Sequence, residues 1–232
     1  MPQLETIFSP ALIRYHDLEN KNVVIIDVLR ATTSICYALH EGAKSMLPVA
    51  TPEDCLRYRQ LGCLCAAERN GIKLEGFDMG NSPDEFNRAA VEGREIAITT
   101  TNGTYALLES QSAARIFIGS FVNLSALAKY LQEAGQDVTL VCAGWKNKVN
   151  LEDSLFAGAL ATLLEGFETE CDSTLMAKTL WEGAQPKLHN VVDQSSHAQR
   201  FKRLGVDDLP ACLDVDRCPV VPEYVTDRIV LV

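Results

Sequence analysis

No apolar stretch in the 232 residues is longer than a buried strand or core helix needs, so no segment reads as a membrane span. The first ten residues, MPQLETIFSP, lack the basic-then-apolar order of a secretory signal. Positive charge is also scarce. Lys and Arg number 21 against 31 Asp and Glu, a formal charge of −10, and the pI is near 4.9. This excludes sequence-wide attraction to nucleic acid or to anionic lipid. An anionic substrate would therefore need a local cation, either an arginine or a bound metal. Neither G-x-x-x-x-G-K-[ST] nor G-x-G-x-x-G occurs, which removes the glycine-rich nucleotide loops. No G-x-S-x-G elbow occurs either. Cysteine is plentiful at eight, but no C-x-x-C pair offers a zinc site. Cys36, Cys55 and Cys142 fall inside strand or helix patterns and read as small buried hydrophobes of a reducing compartment. The expectation is a cytoplasmic protein with no membrane or nucleic-acid partner and with structural cysteines.

What is present is apolar and alternating. Hydrophobic residues make up 47% of the chain, ample for the core of one α/β domain. Strands are expected at 23–29, 45–50, 64–68, 95–101, 115–121, 138–143 and 228–232. Helix starts lie between them. TPED (51–54) and SPDE (82–85) each put a hydroxyl cap before proline, and Glu85 stands where a capping box needs it. Asn123 can cap LSALAKYLQEA, which Gly135 ends, and 155–167 suits a largely buried helix. Residues 185–226 read as a helix and a wrapping segment. Strands alternating with helices predict a three-layer α/β/α sandwich on a central mixed β-sheet. Without a repeat or linker, residues 1–232 read as one domain, at most divided into two subdomains. A homo-oligomer is compatible with this reading.

The strand ends carry the chemistry. VVIIDVLRATTSI closes its apolar run with Asp27, Arg30, Thr32 and Thr33. LCAA ends at Glu68 with Asn70 beyond, EIAI runs into TTTNGT (99–104), RIFI reaches Ser120 and Asn123, and VTLV precedes Glu152 and Asp153. Ligand crevices of open α/β sheets lie outside the carboxyl ends of strands. Turns are polar by default, so polar strand ends need no function by themselves; carboxylates and amides at so many ends point to a site. Asp27, Glu68, Asp78, Glu152 and Asp153 are hard oxygen donors that suit Mg2+ better than zinc. The plainer role for Glu152 and Asp153 is complementing a helix dipole. Arg30 can clamp a phosphate or form a salt bridge to Asp27 or Asp78. In TTTNGT, Thr100, Asn102 and Gly103 can cradle an anion or simply turn a strand into a helix.

Two decoys fail. CLCAAER (63–69) has the C-x5-R spacing of cysteine phosphatases, but it reads as a strand without glycine, and Glu68 would repel the anion. DVDRC (214–218) has a D-x-D pair but no leading strand.

DVLRATTSI, ERNG, GFDMGNSP, TTTNGT, GSFVN, CAG and LEDSLFAGAL, in this order, together resemble the 2-phosphosulfolactate phosphatase family. SSHAQRF and DLPACLDVDRCPVVP fit its carboxy-terminal part, and the likeness runs from about residue 5 to 225. The resemblance implies a Mg2+-dependent acid phosphatase that converts (2R)-phosphosulfolactate to sulfolactate and phosphate in coenzyme M biosynthesis. It carries over Asp27, Arg30, Glu68, Asn70, Asp78, Asn81, Asn102, Ser120, Asn123, Glu152 and Asp153. The chain departs from the family pattern at Ala67 and in the basic, bulky loop WKNKVN (145–150). That loop puts the natural substrate in question.

The expected mechanism has Mg2+ held by several carboxylates and the anion site completed by Arg30 and loop 99–104. Attack falls to a metal-bound water or to Asp27. Lys146, Lys148 and Asn123 are candidates for the sulfonate and carboxylate of this small phosphorylated substrate. The alternatives are a phosphatase for other 2-hydroxy-acid phosphates, or a non-catalytic anion-binding protein. The mark of the latter, loss of carboxylates, is missing here.

Overall fold

The structure, a computed structural model, describes residues 1–232. Its strands are β1 (Leu4–Ile7), β2 (Asn22–Ile26), β3 (Ser45–Pro48), β4 (Leu64–Arg69), β5 (Ile72–Lys73), β6 (Glu95–Thr99), β7 (Arg115–Gly119), β8 (Val138–Cys142), β9 (Pro222–Val225) and β10 (Arg228–Leu231). They form one mixed sheet in the order β1-β8-β2-β7-β9-β10-β3-β6-β4-β5. The helices are α1 (Ala31–His40), α2 (Pro52–Arg59), α3 (Arg88–Val91), α4 (Gly103–Glu109), α5 (Leu124–Ala134), α6 (Leu151–Leu163), α7 (Asp172–Ala184), α8 (Leu188–Val192), α9 (Ser196–Leu204) and α10 (Leu209–Cys212). With helices on both sides, this is the expected α/β sandwich. No helix is long and apolar enough to cross a membrane.

Strand β2 shows why its sequence is apolar throughout. Val24 and Ile26 enter a core with Leu127 of α5, Phe156 of α6 and Ala177 of α7. Val23 and Ile25 enter a second core with Ile35 of α1 and Leu107 of α4. A strand covered on both faces cannot alternate polar residues. A third, smaller core seats Cys55 of α2 on Leu47, Cys65 and Ala97.

Two parallel blocks, β1-β8-β2-β7 and β3-β6-β4, flank the carboxy-terminal hairpin β9–β10. Three successive antiparallel pairings, β7–β9, β9–β10 and β10–β3, leave the blocks running in opposite senses. A flat sheet would send their carboxyl ends to opposite edges. Here β10 meets β3 at a single register pair, Ile229 with Met46, and the second core joins Ile25 and Ile118 of one block to Ile96 and Ile98 of the other. The sheet thus coils around that core, as strand twist allows, and the ends of β2, β4 and β6 come together.

Local signals held at several points. Thr51 caps α2 by accepting the Asp54 N–H (3.1 Å), and Gly135 ends α5 at φ 60°. Others gave way to tertiary contacts. Ser82 starts only a 3-10 turn, Pro83–Glu85, because its hydroxyl bonds Asp208 (2.6 Å) instead of capping. Residues 222–225, expected in a wrapping segment, form β9, whose Pro222 occupies the tolerated first position of a strand.

Candidate active site

The end of β2 is built as a clamp. The Asp27 N–H donates to Thr32 Oγ1 (3.0 Å), and the Thr32 N–H returns to the Asp27 carbonyl (3.0 Å). Thr33 Oγ1 donates to the Val28 carbonyl (2.8 Å) and meets Ser120 Oγ at 2.6 Å. Asp153 accepts the Val28 N–H on one oxygen and the Gly144 N–H on the other, both at 2.9 Å. The hydroxyls after Arg30 therefore hold backbone, and the Asp27 side chain is left to face the cleft. Gly103 allows this close approach: a Cβ there would lie 3.0 Å from Asp27 Oδ2 and 2.9 Å from the Ala31 Cβ.

Burial pushes the Asp27 carboxyl up to about 6; it outweighs the attraction of His197, and the charges of Glu68 and Glu152 add to the rise. Asp153 is raised well above the carboxylate range by burial, then by Glu152 and Asp27. Glu68 ties β4 to the loop after β6, accepting the Thr101 N–H (3.3 Å) and hydroxyl (3.1 Å) on Oε1 and the Gly71 N–H (2.6 Å) on Oε2. Arg30 pairs with Asp208 and donates to the Gly71 carbonyl (2.8 Å), with Phe201 beneath it at 4.8 Å. Glu152 Oε1 lies 2.8 Å from His197 Nδ1, while its Oε2 is buried without a partner.

Of the residues expected at the site, Asp27, Arg30, Glu68, Asn70, Asn81, Thr100 and Asn102 line one cleft, and Gly103 abuts it. The remaining expected residues lie elsewhere. Asp78 stands outside the cleft, where, against the effect of its partial burial, the Cys65 N–H and Arg59 hold its carboxyl low. Ser120 and Asn123 are buried in a capping box, with the Asn123 amide on the Ile118 and Val220 carbonyls (both 3.1 Å). Glu152 and Asp153 sit fully buried behind the cleft wall.

The cleft also contains Trp145, first residue of the departing 145–150 loop, His197, which reads from sequence as a helix-start residue able to reach the site, and Arg200 and Phe201, to which the sequence reading assigned no site role. The readable signal was helical spacing: His197, Arg200, Phe201 and Leu204 share one face of α9.

No three Asp, Glu, His or Cys side chains enclose a metal by themselves. Mg2+ rarely uses an all-protein cage and more often takes one or two carboxylates with substrate phosphate and water. Asp27 and Glu68, the two carboxylates that line the cleft, fit that lesser demand.

All eight cysteines are free, and burial raises the Cys63 thiol. Cys63 lies in the small third core, away from the cleft. Cys63→Ser should leave kcat/KM unchanged in a phosphate-release assay; loss of turnover in a folded variant would reinstate a cysteine mechanism.

Fold and cleft define an α/β sandwich with a polar cleft of carboxylates and arginines where strands of two parallel blocks end. Residues 7–227 match the family model described as 2-phosphosulpholactate phosphatase. Relatives carrying the name "Probable 2-phosphosulfolactate phosphatase" cover nearly the whole chain. The one from Caldanaerobacter subterraneus subsp. tengcongensis is 37% identical over 95% of this chain and 94% of its own. That from Thermotoga petrophila is 39% identical over 92% and 93%, and that from Synechococcus sp. strain RCC307 is 40% identical over 86% and 87%. The chain belongs to the 2-phosphosulfolactate phosphatase family of phosphoric monoester hydrolases.

Proposed function

We propose that the protein hydrolyses (2R)-phosphosulfolactate to sulfolactate and phosphate with Mg2+ as cofactor. The observation that carries this reading is Asp27. Its carboxyl is buried at a strand end, faces the cleft, and is pushed up to about 6 with Glu68 and Glu152 near it. Such a group is costly to the fold and is well placed for chemistry. A divalent ion bound there by Asp27 and Glu68 would neutralise charge on the phosphate. Asp27 is the nucleophile or the base toward phosphorus, and the stacked Arg30 and the Thr100–Gly103 loop orient the phosphoryl oxygens. The Glu68 contacts to Thr101 and Gly71 keep that loop and the end of β4 in register across the cleft. His197, held by Glu152 at Nδ1 and by Arg200 at Nε2, fixes the cleft wall beside these groups.

The expected result is phosphate release from phosphosulfolactate that vanishes in excess EDTA and returns with added Mg2+. Undiminished release after exhaustive dialysis against chelator would overturn the metal requirement. Release from a panel of 2-hydroxy-acid phosphates, but not from phosphosulfolactate, would leave a phosphatase with another substrate.

A further inference from the structure

Two guanidinium groups line the cleft, and their surroundings differ. Arg30 is committed to Asp208, the Gly71 carbonyl and the Phe201 face. Arg200 has no carboxylate partner, and its Nε is buried with nothing to bond. One of its Nη atoms donates to His197 Nε2 (2.9 Å), and its Cζ lies over the Trp145 ring, 4.4 Å from the centroid.

Trp145 is itself held rigidly. It exchanges backbone hydrogen bonds with Lys148 (2.9 and 3.0 Å) across Lys146 and Asn147, both left-handed at φ 52° and 61°. This is the geometry of a two-residue type I′ hairpin. Gly144 must be glycine, since its φ is 59° and a Cβ would lie 2.2 Å from the Lys148 carbonyl oxygen. Ser9 holds the Asn147 carbonyl (2.9 Å), and Asn102 accepts the Lys146 N–H (3.2 Å), tying the hairpin to the 100–103 loop. Lys146 Nζ adds a second cation, 4.8 Å from the indole centroid. In a chain of charge −10, two cations thus flank the Trp145 ring.

We propose that Arg200, backed by Trp145, binds the sulfonate, one of the substrate's two non-reacting oxyanions, and sets the enzyme's selectivity for sulfonated phosphate esters. The assignment rests on the phosphatase reading above. A sulfonate stays ionised at all working pH values, and a guanidinium fork matches two of its oxygens. Stacking on a fixed indole orients the fork before the ligand arrives, which lowers the ordering cost of binding. A buried donor without an acceptor is unfavourable until a ligand supplies one. Trp145, the first residue of WKNKVN, is the platform of the subsite.

The test is steady-state kinetics of wild type, Arg200→Gln and Arg200→Lys on phosphosulfolactate and on 2-phospholactate, which lacks only the sulfonate. In both variants, kcat/KM for phosphosulfolactate should fall by about 10–100-fold, mostly through KM, the scale of one charge-assisted hydrogen bond. The loss on 2-phospholactate should be smaller by about tenfold or more. Equal losses on both esters would put Arg200 on the phosphate or the carboxylate that the two share, and no loss on either would make it structural; both results overturn the proposal. If Arg200→Gln does not fold, Arg200→Lys, which keeps the charge and loses the fork, must still show the selective loss. Wild type inactive on both esters would overturn the phosphatase reading and this assignment with it, whereas an unchanged selectivity ratio overturns the assignment alone.

Discussion

Asp27→Asn is expected to abolish turnover and raise the thermal midpoint of the metal-free protein in the same variant. An ordinary aspartate titrates near 3.8 and this one near 6, so the folded state favours the protonated form. The stability linked to this group is complete below about pH 4 and is lost as pH rises through about 6. At pH 7 the ionised carboxylate therefore costs about 3 kcal/mol. An amide has nearly the same shape, carries no charge and ends the repulsion from Glu68 and Glu152. Each kcal/mol recovered should shift the midpoint by about 2–4 °C in a chain of this size. Turnover should fall by at least about 10²–10³, the scale for deleting one preorganised electrostatic group. The checks are thermal scans in EDTA at pH 7 and pH 4, and kcat with Mg2+. The midpoint gain should shrink at pH 4, where wild-type Asp27 is protonated as well. Near-wild-type kcat would reduce Asp27 to a strand end meeting a helix, and a lower midpoint would show that its burial carries no strain.

Asp27 and Glu68 were legible because an apolar run that stops at a carboxylate is a local pattern. So were the two-faced strand β2 and the cap at Thr51. Residue type alone did not separate polar groups that serve backbone from those that serve a ligand. Thr32, Thr33, Ser120 and Asn123 lie at strand ends as site residues do, yet their donors and acceptors close turns within the chain. Asp153 reads like a metal ligand until both oxygens are found on the Val28 and Gly144 amides. The β9 strand was hidden because its place between β7 and β10 depends on pairing over more than a hundred residues, with no local signal beyond a short apolar run. Arg200 was missed for a related reason, although the 145–150 loop that holds Trp145 stood out: a cation on a helix face meets an indole in a distant loop only when the fold brings them together.

Arg30 shows the same limit from the other side, and its partner gives the second large effect. The sequence reading offered a phosphate clamp or a salt bridge to Asp27 or Asp78; the structure pairs it with Asp208, 178 residues away. Both side chains are more than nine-tenths buried, and Ser82 also bonds Asp208 (2.6 Å). Asp208→Leu should destabilise the fold by about 3–5 kcal/mol, because it leaves the Arg30 charge buried and uncompensated. Arg30→Met should cost a similar amount by stranding Asp208. The double variant replaces the pair with apolar groups of comparable volume, so most of the loss should be regained, and denaturant melts of the four proteins measure that coupling. Catalysis separates the two roles. If Arg30 only staples α10 to the start of α1, turnover should recover along with stability. If its guanidinium also meets the phosphoryl oxygens, the double variant should be stable yet remain impaired by about tenfold or more in kcat/KM, the loss expected on removing a charged hydrogen bond. The stack on Phe201 and the bond to the Gly71 carbonyl hold the group at the cleft wall, and the expected outcome is the stable, impaired protein.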